Sequence, residues 1–289
     1  MSPGGVDQGD KLTNSGTAEE ESTAPRSSSA TDSTRASAAA GEHRDTESGV
    51  GALHSNVLDT VGREIASGEL PTGHVLTLDV LEERFGVSRT VARESMRILQ
   101  SMGLVTSRRR VGITVQPRQS WNVFDPRVIW WRLAGEGRDS QLRSLIELRI
   151  AVEPLAAATA AQNASGEVRA RLVELSTMMR AKGEAGELND FLDLDIEFHT
   201  TLLLTSGNEM FEALADVVSV VLRGRTHLGL MPDQPVSEAL ELHERVAVAI
   251  AEARSDEAED HMRELLAEVR NAVLPAWRAN GRPIRPAAR

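Results

Sequence analysis

Between Leu53 and Val115 the apolar residues keep helical spacing through three segments and then switch to strand alternation, and this pattern admits few folds. Leu53, Val57, Leu58, Val61 and Ile65 mark one face of a first helix, which Gly68 stops. After the turn Pro71-Thr72-Gly73, Leu78 to Phe85 reads as a second helix closed by Gly86. Ser88 is placed to cap a third, Arg89 to Met102, with Val91, Ser95, Ile98 and Leu99 facing inward and Gly103 at its end. Leu104 to Ser107 and Ile113 to Val115 are short β-type runs around Arg108-Arg109-Arg110-Val111-Gly112, a hairpin with a basic tip. Three helices and such a hairpin make a winged helix-turn-helix.

Charge agrees once it is divided along the chain. The total is −11, but residues 1–52 sum to −5, 53–118 to +2 and 119–289 to −8. Only the middle segment is positive, and its arginines lie in short runs suited to phosphate contact. With no cysteine, disulfides and thiolate chemistry are excluded. No run approaches the roughly 18 apolar residues of a membrane helix, and no signal peptide opens the sequence, so a cytoplasmic protein is expected.

The spacing predicts five segments: a disordered tail over 1–50, the winged helix-turn-helix over 51–118, a linker helix over 119–139, a helical bundle over 140–276 and a frayed tail over 277–289. The chain is thus mainly α, with an all-α effector-binding and dimerisation domain after the winged one. About six helices are expected beyond Pro117, with breaks at 135–137, 163–166, 183–186, 207–208, 229–235 and 254–256; Pro275 and Gly281-Arg282-Pro283 end the fold.

The second helix of a helix-turn-helix enters the major groove by its N-terminal residues. Here these include Ser88, Arg89, Thr90 and Arg93. Arg89 and Arg93 lie one turn apart and suit base edges, Ser88 and Thr90 suit phosphates, and Arg108, Arg109 and Arg110 suit the backbone or an adjacent minor groove. The run Phe85-Gly86-Val87-Ser88-Arg89-Thr90, then Arg93 to Leu99 and Gly103-Leu104-Val105, resembles the DNA-binding domain of the GntR family over residues 53–117. It departs at Asp79, where many relatives carry a DNA-contacting arginine.

In the helical region, polar residues interrupt apolar stripes: Arg149 among Leu145, Leu148, Val152 and Ala156, Asp195 and His199 among Leu192, Ile196, Leu202 and Leu203, and His243 among Leu242, Val246 and Ile250. Arg223 and Arg225 sit near the end of a helix over 214–222, and Arg223 is the one taken for the site. Buried charge needs a partner. If these stripes converge, arginines and imidazoles would welcome a carboxylate, and Asp195, His199 and His243 could hold one divalent metal, zinc or similar.

The runs Leu148 to Pro154, Asp195 to His199, Ser206-Gly207-Asn208 and Leu242-His243 resemble the effector domain of the fatty-acid-regulator (FCD) branch of that family, over residues 140–274. The resemblance implies that Arg149 holds the effector carboxylate, with Asn208 nearby, and that an aspartate and three histidines bind metal; the fourth ligand position holds Leu265, with His261 a turn earlier. Gln119 to Trp131 looks like the joint of galactonate- and gluconate-responsive members. The expected function is a homodimeric repressor released from double-stranded operator DNA by a sugar acid. The alternatives are a metal-dependent hydrolase or lyase using Asp195, His199 and His243, and a pure dimerisation module.

Overall fold

Positive backbone angles at Gly68 and Gly86 (φ 86° and 63°) end the first two helices, α1 (residues 56–67) and α2 (Leu78–Phe85). The computed structural model describes residues 56–227, 229 and 235–279, with side chains to 271. Residues 1–55, including Leu53 and the tail over 1–50, most of the 229–235 break and the stretch from 280 onward lie outside the described residues.

Thr77 caps α2 by accepting from the Val80 N–H, and Ser88 caps α3 (Arg89–Ser101) by accepting from the Val91 N–H. Strands β2 (Val105–Arg108) and β3 (Gly112–Val115) form the expected hairpin. A third strand, β1 (Val75–Leu76), was not anticipated; it pairs antiparallel with β3, giving the order β1-β3-β2. Two residues between turns leave too short a run to show alternation, so its existence is decided by the partner strand.

Val57, Leu58, Val61, Ile65, Leu81, Val91, Met96, Leu99, Leu104 and Val115 make one core. Burying a leucine such as Leu99 stabilises by roughly 1.5–3 kcal/mol. Ile98, expected inward, is only partly buried at the edge of this core; Ala92 and Met96 take the inward phase instead. Arg84 of α2 pairs with Glu64 of α1, bracing the two helices.

Among the described residues a 3-10 turn (Arg118–Ser120) and eight α-helices follow Pro117: α4 (Pro126–Ala134), α5 (Arg138–Asn163), α6 (Gly166–Ala185), α7 (Leu188–Thr205), α8 (Glu209–Glu212), α9 (Ala215–His227), α10 (Ser237–Ala251) and α11 (Ser255–Ala279). The excess over six includes the one-turn α8, whose Asn208 cap accepts from the Met210 N–H. Pro275 does not end α11, which runs to Ala279; a proline removes one backbone donor, and α5 likewise runs through Pro154. None of the described helices is long and apolar enough to cross a membrane.

Helix α4 belongs to two cores at once. Val128 and Trp131 pack into the winged core, while Ile129 and Leu133 pack with Leu142, Leu145, Val217 and Val221 of α5 and α9. Trp131 Nε1 donates to Asp59 Oδ1 at 3.2 Å, and a β-carbon on Gly62 of α1 would lie 2.5 Å from the Trp131 ring. On the other face, a β-carbon on Gly224 of α9 would lie 2.7 Å from Leu133 Cδ1. Two glycines thus permit close packing on opposite sides of α4, and motion of α9 has a short physical route to α1.

Candidate functional site

Two clusters of functional side chains emerge, one on the winged segment and one buried among the later helices. On the winged segment, α3 buries Val91, Ala92, Ser95, Met96 and Leu99, and the opposite phase exposes Arg89, Thr90 and Arg93. Ser88 is exposed at the cap. Arg89, Arg93 and Arg97 line a groove that continues to Gln100 and, across it, Ser107 and Gly112 of the wing. Arg108, Arg109 and Arg110 are all exposed at the hairpin tip, where Arg110 adopts a φ of 67° to close the turn. A cationic face of this kind suits a duplex backbone.

Arg89 is not alone on that face. Its Nη1 donates to Asp79 Oδ1 and, at 3.1 Å, to Glu82 Oε1, both on α2. The hydrogen bond to Asp79, followed by the charges of Asp79 and Glu82, raises the Arg89 pKa.

In the helical region four helices bring six polar side chains together. Helix α5 supplies Arg149 and Glu153, α7 Asp195 and His199, α9 Arg225, and α10 His243, and all six are buried. Arg149 grips Glu153 through two hydrogen bonds, Nε to Oε1 at 2.6 Å and Nη2 to Oε2 at 3.1 Å. Glu153 Oε2 lies 2.8 Å from His199 Nδ1, and His243 Nδ1 lies 2.7 Å from the Ala239 carbonyl. These contacts orient both rings with Nε2 inward: His199 Nε2 and His243 Nε2 lie 3.4 and 3.3 Å from Asp195 Oδ1.

Charges in this cluster compensate one another. Burial opposes the Asp195 charge, but hydrogen bonds from His199 and His243 and the nearby Arg225 hold its pKa well below the usual carboxylate range. Burial is likewise the largest influence on His199 and opposes its charge, but Glu153 and Asp195 together outweigh it, so the pKa rises. His243 is pushed down, chiefly by burial, which favours its neutral, ligating form. Arg225 is pushed down to about 10, again chiefly by burial, and remains charged at neutral pH. Two arginines balance two carboxylates.

The ligand atoms of Asp195, His199 and His243 lie within 4.8 Å of one another; the second ring nitrogen of His243 meets the Ala239 carbonyl and that of His199 faces the Glu153 carboxylate, the kind of partner that metal-ligating histidines keep. This donor set fits a divalent ion such as zinc. The residue at the expected fourth position, Leu265, is packed in the apolar core, while His261 sits beside Glu264.

Three of the residues expected at the effector site are placed as follows. Arg223 is exposed and faces Asp193 at 3.6 Å, and it is Arg225 that enters the cluster. Helical phase carried that signal, since Arg225 continues the buried stripe Val218, Val221 and Leu222 while Arg223 falls off it. Arg149 is paired with Glu153, one turn along the same stripe, a cluster member that the sequence reading did not single out. Asn208 is engaged as the cap of α8.

Comparison with known proteins adds the family. Residues 53–115 match the family described as bacterial regulatory proteins, gntR family, and residues 144–268 match the FCD domain. The chain is 28% identical over 201 residues to the uncharacterized HTH-type transcriptional regulator YieP of Escherichia coli K12, covering 69% of this chain and 86% of that one. It is 29% identical over 207 residues to the galactonate operon transcriptional repressor of the same organism, covering 70% and 89%. Among solved structures, a GntR protein of Streptococcus agalactiae is 25% identical with a TM-score of 0.44, covering 76% of this chain and 99% of that one. The two Escherichia coli relatives are named as transcriptional regulators, and they give the hydrolase alternative no support. The chain belongs to the GntR family of bacterial regulatory proteins, in its FCD-domain branch, and is a DNA-binding transcriptional regulator rather than an enzyme.

Proposed function

We propose that the chain is a cytoplasmic, homodimeric repressor that leaves its operator when a small carboxylate, a sugar acid of the galactonate or gluconate type, enters the cluster between α5, α7, α9 and α10. The observation that carries this reading is Arg225. Its side chain is buried, only its Nη2 is bonded, to Asp195 Oδ2 at 3.3 Å, and its Nε and Nη1 have no hydrogen-bond partner among the described residues. A buried guanidinium with two open donors is costly and is well matched to a carboxylate. Asp195, His199 and His243 would hold a divalent metal, which supplies positive charge beyond what the paired arginines and carboxylates cancel and so favours an anionic ligand. The relative named as a galactonate operon repressor supports a sugar acid as the effector class.

DNA contact is assigned to the exposed face: Arg89 and Arg93 to base edges, Ser88 and Thr90 to phosphates, and Arg108, Arg109 and Arg110 to backbone or minor groove. We take 51–118 as the DNA-binding domain, 119–139 as the joint and 140–276 as the effector and dimerisation domain. Effector binding at Arg225 pulls on α9, whose Gly224 packs on Leu133 of α4, and α4 reaches α1 through Trp131 and Gly62. The effector then favours a dimer in which the two recognition helices no longer match their half-sites.

Isothermal titration with D-galactonate, D-gluconate and a fatty acyl thioester, before and after metal removal, tests the effector class. Heat with a sugar acid that disappears in Arg225→Ala supports it. An absence of heat with any acid in either state sinks it.

A further inference from the structure

Asp79 stands in the first turn of α2 and Arg89 at the first position of α3, and the turn through Gly86, Val87 and Ser88 folds the two together. Both ion pairs of Arg89 are made by Nη1, which leaves the donors on Nε and Nη2 uncommitted among the described residues. Asp79 is the only carboxylate among the residues lining the groove, alongside Arg89, Arg93, Arg97 and Gln100.

That placement calls for an explanation. The Asp79 side chain is 79% exposed and that of Arg89 54%, and an ion pair so exposed adds little to stability. A carboxylate on a face that meets phosphates weakens binding by repulsion. Neither stability nor affinity accounts for it, whereas base reading does. A carboxylate accepts from the amino group of cytosine, and an arginine donates to the O6 and N7 of guanine, the partner of that cytosine in one base pair.

We propose that Asp79 is a specificity-determining residue: it fixes Arg89 with its free donors toward a guanine and offers its own open oxygen to cytosine, so the two residues together read one G·C step in each half-site. The proposal rests on the assignment of α3 as the recognition helix, and its test is chosen so that the two can fail separately.

The test is selection of bound sequences from a randomised duplex pool with the full-length chain, Asp79→Ala and Arg89→Ala, with folding checked by circular dichroism. In the wild type one G·C pair per half-site is strongly preferred. Asp79→Ala lowers the preference at that pair by about tenfold and leaves the other positions unchanged. Unchanged preferences at every position, with affinity merely shifted, would overturn the proposal and reduce Asp79 to background charge. Loss of preference at all positions in a folded Asp79→Ala protein overturns it too, because Asp79 would then hold the motif rather than read DNA. If Arg89→Ala keeps wild-type affinity and preference, the recognition-helix assignment itself fails. If Arg89→Ala alone is impaired, only the role of Asp79 fails.

Discussion

Replacing Glu153 by Gln removes one charge and almost no volume from the centre of the buried cluster. The carboxylate pKa is lowered from 4.5 to about 2; burial works against its charge, but Arg149 and His199 outweigh burial. A group whose folded pKa is depressed contributes stability above its unfolded pKa and loses it as pH falls through the folded value. The shift corresponds to about 3 kcal/mol at pH 7, about 2 kcal/mol at pH 3.5 and under about 1 kcal/mol at pH 2. Breaking a buried ion pair from one side costs on the order of 3–5 kcal/mol, which agrees in size. Urea unfolding of chelator-treated wild type and Glu153→Gln from pH 7 down to pH 3.5 should therefore give a stability difference that shrinks as the solution becomes more acidic. Carboxylates outside the cluster titrate alike in both proteins and cancel in that difference. A gap that is flat over this range, or smaller than about 1 kcal/mol at pH 7, would refute the compensation ascribed to Glu153.

Zinc should raise the unfolding free energy of the wild type, by about 2.7 kcal/mol when free zinc is 100 times its dissociation constant, and the rise should vanish in His243→Gln; an equal rise in both places the ion elsewhere. Gly224→Ala puts a β-carbon 2.7 Å from Leu133 Cδ1, and overpacking of this kind costs about 1–3 kcal/mol in a thermal melt. The same variant should weaken the release of DNA by an acid in a gel shift, and a normal response argues against transmission through α4. Arg109→Ala should weaken binding about equally across DNA sequences and lower the slope of log affinity against log salt by about 1; a changed base preference would assign the wing a reading role.

Spacing and capping within a single stretch determined the DNA-binding half of this chain. The second helix, Leu78–Phe85 before Gly86, and the Ser88 cap were readable because a helix start and stop depend on residues within one turn of each other. The same locality made Asp195 and His199 legible as an i,i+4 pair on an apolar stripe. What only the tertiary structure decided involves partners far apart in the chain. Strand β1 exists because β3, some forty residues on, supplies its hydrogen bonds. Trp131 meets Asp59 across 72 residues, and α4 is thereby shared between two cores. In the buried cluster, the sequence placed Arg149 on one stripe and Arg223 and Arg225 near the end of another helix, but not their partners. Packing of α5 against α7 brings Glu153, the partner of Arg149 one turn along α5, onto His199, while the phase of α9 turns Arg225 inward and Arg223 outward. Charges on a stripe show that something must compensate them; which group does so depends on which helices face each other, and that is settled only when the chain has packed.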